Sequence, residues 1–316
     1  MRLDGEIGQR IHEKYQRLGE NPTTHLEGLY HAKPITYWDY IEVETLLSLQ
    51  RPRTSFEDEM IFILYHQVTE LIMKMMLHEI KQISGNAVTD ATLLEEKINR
   101  LNRYTSLLIN SFDIMRHGMN YDDYAQFRKA LTPASGFQCA QFRFIELHCT
   151  RLENLVNEEG KKLLSGNPTV EDLFEHIYWK RAGIHWQTQE KTYTLQQFEE
   201  KYQDQLIHLA KSIKGRTLED SILSMKGDVP AALRRALRKF DYLYNVQWPL
   251  VHINTATHYL DGRGEEQVAT GSSHWKEYLH PRYQQRRFFP SLWSADEIEN
   301  WGEEIINQTN SDKYTT

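Results

Sequence analysis

Wound at 100° per residue, the stretch 57–82, EDEMIFILYHQVTELIMKMMLHEIKQ, carries apolar residues on nearly every side. Ile61, Leu64, Val68, Leu71, Ile72, Met75 and Ile80 cover two broad faces. A helix that is apolar all round is a buried one, so this segment is expected at the centre of the fold. One stripe disturbs that picture: Phe62, His66, Thr69 and Met73 recur at i, i+4, i+7 and i+11, setting an imidazole among apolar neighbours with a ring one turn earlier. An imidazole buried there costs free energy without a partner. It is either a core histidine satisfied by a backbone carbonyl or hydroxyl, or the wall of a ligand cavity.

The other periodic segments are also helical. A short amphipathic helix is expected over 4–18, then a Pro/Gly-bearing segment, then a stretch over 37–50 that opens extended and becomes helical. Ser55, ahead of Asp58, is the expected N-cap of the central helix. Further helices are expected over 90–117, from the Gly118–Asp122 loop up to Leu131, and over 138–159, where Gly160 stops the run. The less regular middle holds a short helix over 170–180, and helices resume over 195–214 and 218–225. Asp228 and Pro230 are expected to start the last long helix, ending by Gly262 with a kink at Pro249, and a final helix covers 295–307. Period-2 alternation is almost absent, so the predicted class is all-α. The expected organisation is a single helical domain over 1–316, with 1–50 as an N-terminal arm and 160–228 as an inserted helical segment.

Composition narrows the function. A formal net charge of −7 argues against a nucleic-acid binder. Two cysteines, Cys139 and Cys149, form neither a disulfide framework nor a CxxC or CxxCH motif, which suits a reducing compartment. The start lacks an apolar h-region and no uninterrupted apolar run spans a bilayer, so a cytoplasmic protein without a membrane partner is expected. Seventeen Tyr, twelve Phe and seven Trp imply large apolar surfaces to fill: core, subunit interface or a flat ligand.

Common site chemistries fail on spacing. The only Glu-x-x-His is Glu277 to His280, in a loop-like context, so a ferritin-like di-iron bundle is not supported. His78-Glu79 has no second His for a zinc protease, and neither phosphate-binding glycine motif occurs. What remains is His66 and His252 on separate apolar helices. His252 lies one turn after Trp248, beside the Pro249 kink, where an imidazole either packs on that indole or points into a gap between helices as a proximal haem ligand does. Tyr124 and Arg128 stand at i and i+4, so phenol and guanidinium can converge on a carboxylate; alternatively Arg128 pairs with Asp122 or Asp123 at the surface. Ser135-Gly136-Phe137-Gln138 reads as a tight turn with N–H groups free for an anion. Thr270-Gly271-Ser272-Ser273 reads as a closing loop or a linker.

Taken in order, YxxYxxxxxLLxxQ from Tyr37, DExxFxxxHQxxEL from Asp58, FRxxLxPASGFQ from Phe127, WxxxH from Trp248 and the Thr270-Gly271 loop resemble the tryptophan 2,3-dioxygenase family, in its bacterial branch, from Tyr37 to about Trp301. The resemblance implies an all-helical, homotetrameric enzyme with haem b, ferrous when active, and O2 as co-substrate. It would cleave the indole C2–C3 bond of L-tryptophan to N-formylkynurenine. It implies His252 as proximal iron ligand, His66 as acceptor of the indole N–H, and Phe62 packed on the indole. Arg128 and Tyr124 would bind the carboxylate, Thr270 the ammonium or carboxylate, and Tyr37 and Tyr40 would reach a neighbouring subunit's pocket. The chain departs from the family in its Gly-Thr-Gly-Gly-Ser loop, which reads Ala269-Thr270-Gly271-Ser272-Ser273 here, at His258 in place of an Arg, and at Ile72 in place of an aromatic. A monooxygenase or peroxygenase of this fold, acting on a modified indole or a tyrosine-like substrate, and a non-catalytic haem binder are the alternative readings.

Overall fold

The computed structural model describes residues 5–85, 90–185, 188–260 and 279–302. Among these residues there is no β-sheet, only two isolated bridges, Val156 with Ile177 and Ile184 with Lys191. The all-α class forms as expected.

Two compact units are distinguished, Met1–Gln50 and Arg51–Thr316. The first holds α1 (Glu6–Arg17), α2 (Pro22–His31), α3 (Tyr37–Ile41) and α4 (Val43–Leu46). Asn21 caps α2 by accepting from Thr23 N–H, with Pro22 at the first helical position, where a missing N–H does no harm. The 37–50 stretch does not open extended: it is helical from Tyr37, where Thr36 caps it, and breaks at Glu42 with φ 55°. Helices α2 to α4 bury no side chain.

The second unit holds α5 (Asp58–Ile83), α6 (Ala91–His117), α7 (Tyr121–Ala130), α8 (Ala140–Cys149), α9 (Glu158–Leu163), α10 (Val170–Glu175), α11 (Tyr193–Ile213), α12 (Leu218–Leu223), α13 (Ala231–Tyr242), α14 (Trp248–Leu260) and α15 (Ala295–Glu299). Ser55 does not cap α5. The buried Glu59 reaches back instead, taking Arg53 N–H at 2.9 Å and Thr54 N–H at 2.8 Å, which fixes the chain's entry into the helix. Nor is α5 buried all round. Met76, Ile80 and Ile83 are fully enclosed against α6 and α8, while Leu64, Val68, Leu71 and Met75 are 38–48% exposed along the opposite stripe. Its length and apolarity alone would suit a membrane span, yet Glu59, His66, Glu70 and Glu79 lie along it.

The main core joins α5, α6, α8 and α13 through Leu94, Ile98, Leu101, Ile145, Leu237 and Phe240, closed by Phe288 and Phe289. A second cluster under α11 packs Phe174, Trp179, Leu195, Phe198 and Leu206. The helix expected over 138–159 stops at Cys149, because Thr150 turns extended and Glu219 takes both the Thr150 hydroxyl and Arg151 N–H at 2.9 Å. Gly160 lies inside α9 and does not end a helix. A Cβ there would fall 2.3 Å from His176 Cβ, so the position demands glycine for close approach.

Neither Asp228 nor any other side chain caps α13; Pro230 occupies the cap position. The kink expected at Pro249 takes the form of a π-helical turn, Leu243–Gln247, between α13 and α14. Pro249 has no N–H to give Asn245 and its ring would strike that carbonyl in a continuous α-helix; the wider turn relieves both faults. Helix α15 ends at Glu299, shorter than expected, with Gly302 left-handed at φ 82°.

Candidate functional site

The period of α5 puts Phe62 and His66 one above the other. His66 Nδ1 lies 2.7 Å from the carbonyl oxygen of Phe62. A carbonyl only accepts, so Nδ1 carries the proton and donates, and in the neutral ring Nε2 is a bare acceptor. The Phe62 ring centroid is 4.1 Å from the imidazole, and Tyr65 meets it edge-on at 5.4 Å. The two readings of His66 therefore meet: one nitrogen is satisfied by backbone and the other has no protein partner among the described residues.

His252, on α14, makes no hydrogen bond to any described residue. Its ring does not pack on Trp248, which meets Phe142 at a tilt and Tyr244 edge-on; it lies 5.6 Å from Phe112 of α6. Phe112 is 6.1 Å from Tyr65, so one aromatic wall runs from His66 through Tyr65 and Phe112 to His252. Burial pushes the His252 pKa down to about 4, and the His66 imidazole pushes the same way. Burial also lowers His66, against its bond to Phe62 and the charge of Glu70. Yet both histidines are solvent-exposed. The effect of the His66 imidazole on His252 places the two rings within electrostatic reach of one another.

Helix α7 brings the polar end. Asn120 caps it through Asp122 and Asp123 N–H, and the fully buried Phe127 anchors it 5.6 Å from Phe62. Tyr124 then stands 6.0 Å from Phe62 and 4.2 Å from Tyr259. Burial raises the Tyr124 pKa and the charge of Arg128 opposes it, so phenol and guanidinium are neighbours one turn apart. The 135–138 turn offers less than expected: Ser135 Oγ accepts Phe137 N–H, and Gln138 Oε1 faces Ser135 N–H at 3.4 Å. His258 faces His117 and Tyr121, away from His252. Tyr37 and Tyr40, on α3 of the first unit, are 71% and 76% exposed. Thr270 lies outside the described residues.

Phe112, Tyr65 and Tyr259 escape a reading of the sequence as wall residues. Phe112 sits in the apolar period of α6, where a cavity ring and a core ring leave the same pattern.

The profile of the tryptophan 2,3-dioxygenase family matches residues 27–214, which include Tyr37, Tyr40, Phe62, His66, Tyr124 and Arg128 but not His252. The tryptophan 2,3-dioxygenase of Bacillus thuringiensis subsp. konkukian is 28% identical over 284 residues, 83% of this chain and 91% of that protein. The tryptophan 2,3-dioxygenase of Ruegeria sp. (strain TM1040) is 38% identical over 117 residues, 36% of this chain and 41% of that protein. With the profile spanning more than half its length, the chain belongs to the tryptophan 2,3-dioxygenase family.

Proposed function

We propose that the protein is a haem-dependent tryptophan 2,3-dioxygenase, converting L-tryptophan and O2 to N-formylkynurenine by cleaving the indole C2–C3 bond, both oxygen atoms entering the product. The observation that carries this reading is the continuous aromatic wall that joins the imidazole of His252 to His66 and Phe62, with Tyr124 and Arg128 beside Phe62.

The donor set suits haem. A single imidazole, His252, is what porphyrin iron, which brings four nitrogen ligands of its own, asks of the protein. His252, with its pKa near 4, keeps a lone pair for iron at neutral pH. Haem b, ferrous in the active form, would supply the binding and activation of O2.

The chain's own side chains place the substrate. His66 Nε2 accepts the indole N–H, because Nδ1 is committed to Phe62 O. The Phe62 ring packs on the indole. Arg128 binds the carboxylate with the Tyr124 phenol as a further donor, and Thr270 would add a hydroxyl at the ammonium end. The aromatic wall excludes water, which strengthens each polar contact. Tyr37 and Tyr40 act in a neighbouring subunit's pocket within a homotetramer; the exposed apolar stripe of α5 and the unburied α2 to α4 support assembly. Free thiols at Cys139 and Cys149 suit the cytoplasm.

The test is direct. Haem-loaded protein is reduced without oxygen, L-tryptophan is added, O2 is admitted, and the product is weighed. A gain of two oxygen atoms is expected; a gain of one, or no reaction with tryptophan, rejects the proposal.

A further inference from the structure

A cleft of about 480 Å³ opens between α5, α8 and α11, with none of the aromatic-wall residues in its lining. That is an ordinary size for a small-molecule site. Leu77, Phe144 and Leu209 line its apolar side, and Lys81, His148, Asp204, Gln205 and His208 supply charge and hydrogen bonding.

His148 is the informative residue. It is only 6% exposed, and its Nδ1 lies 2.8 Å from Ser84 Oγ. The single Ser84 proton goes to the Ile80 carbonyl at 2.9 Å, so Ser84 accepts and His148 Nδ1 donates. Burial, with the Lys81 charge second, lowers the pKa of this imidazole to about 4 and keeps it neutral. Its Nε2 is therefore an acceptor with no protein partner among the described residues, on the wall of the cleft. An acceptor that faces the cleft can be met there by a donor from outside the chain, a water or a ligand group. Lys81 and Asp204 are exposed on opposing helices and form no ion pair with each other. The cleft thus offers the Lys81 cation, the His148 acceptor and an apolar bed, with the Asp204 carboxylate, Gln205 and His208 on the α11 rim, where the carboxylate repels a second negative charge.

We propose that this cleft binds a small aromatic monocarboxylate bearing an O–H or N–H donor, with its carboxylate on Lys81, its donor on His148 Nε2 and its ring against Leu77, Phe144 and Leu209.

The test is calorimetric titration of the purified full-length protein with three probes: 4-hydroxyphenylacetate, phenylacetate, which lacks the donor, and 4-methylphenol, which lacks the carboxylate. The first should bind about tenfold tighter than either of the others, one charge-assisted or neutral hydrogen bond each. Lys81→Gln, at an exposed position, should remove its advantage over 4-methylphenol, and His148→Phe its advantage over phenylacetate. Leu209→Trp should block binding, while Arg128→Ala leaves it unchanged. Absence of saturable binding, equal affinity for all three probes, indifference to Lys81→Gln, or loss on Arg128→Ala would each overturn the proposal.

Discussion

Phe62 holds His66 in two ways, its carbonyl taking the Nδ1 proton at 2.7 Å while its ring leans on the imidazole with centroids 4.1 Å apart. The tautomer is thereby set by backbone, independent of any ligand. His66→Ala should keep haem bound and weaken L-tryptophan by one neutral hydrogen bond, about 0.5–1.5 kcal/mol, which spectral titration of the haem band would measure.

His252→Ala should abolish stable haem loading while leaving the fold intact, because the imidazole bonds to no described residue. Haem content by pyridine haemochromogen assay and helicity by circular dichroism separate the two effects. Normal haem content in the variant would remove His252 from its assigned place.

Arg128→Ala should retain haem and raise the dissociation constant for L-tryptophan about ten- to a hundredfold, the worth of a charge-assisted carboxylate contact at about 1.5–3 kcal/mol. Tyr124→Phe should cost less, since the ring keeps its packing on Phe62 and Tyr259. Unchanged tryptophan binding in Arg128→Ala would show that the carboxylate lies elsewhere.

Asp241 is fully buried at the end of α13. It accepts from Phe288 N–H at 2.7 Å, Phe289 N–H at 3.1 Å, Trp293 Nε1 at 2.9 Å and Asn245 Nδ2 at 2.8 Å. Burial still raises its pKa despite those four donors. Asp241→Leu strands the donors, at about 1–3 kcal/mol for each that finds no water. Urea denaturation should show a loss of at least about 3 kcal/mol, with Asp241→Asn between it and the natural protein.

His148 makes stability depend on pH. The unfolded chain takes up a proton there near pH 6.5 that the folded chain refuses until about pH 4. Stability contributed by this residue is complete above that window and lost as pH falls from 6.5 to 4, by up to about 3 kcal/mol at 1.36 kcal/mol per pH unit. Denaturation midpoints measured from pH 7 to pH 4 should fall less steeply in His148→Phe.

Helix α7 begins at Tyr121, inside the loop expected over 118–122, but helix α6 is legible in the sequence to within a residue because its apolar period is long. So are His66 and the Tyr124–Arg128 pair, which local spacing alone brings together. Long-range partners are what the sequence conceals. Glu59 in place of Ser55 at the entry to α5, Glu219 breaking the chain after Cys149, and Gly160 pressed on His176 all depend on side chains that meet only after folding. The exposed stripe of α5 is hidden for a different reason: Leu64, Val68, Leu71 and Met75 read as core, since a face kept for another surface and a face kept for the interior have the same composition.

The π turn at Leu243–Gln247 makes the position of His252 a matter of counting. A π turn holds one residue more than an α turn, so everything beyond it is rotated by about 100° relative to an uninterrupted helix. Delete a single residue from that turn and the helix can close into regular α register, swinging the imidazole off the aromatic wall and bringing a neighbour round in its stead. The place of His252 on the aromatic wall therefore rests on a surplus residue with no chemistry of its own, and a length change there would displace it more than most substitutions would.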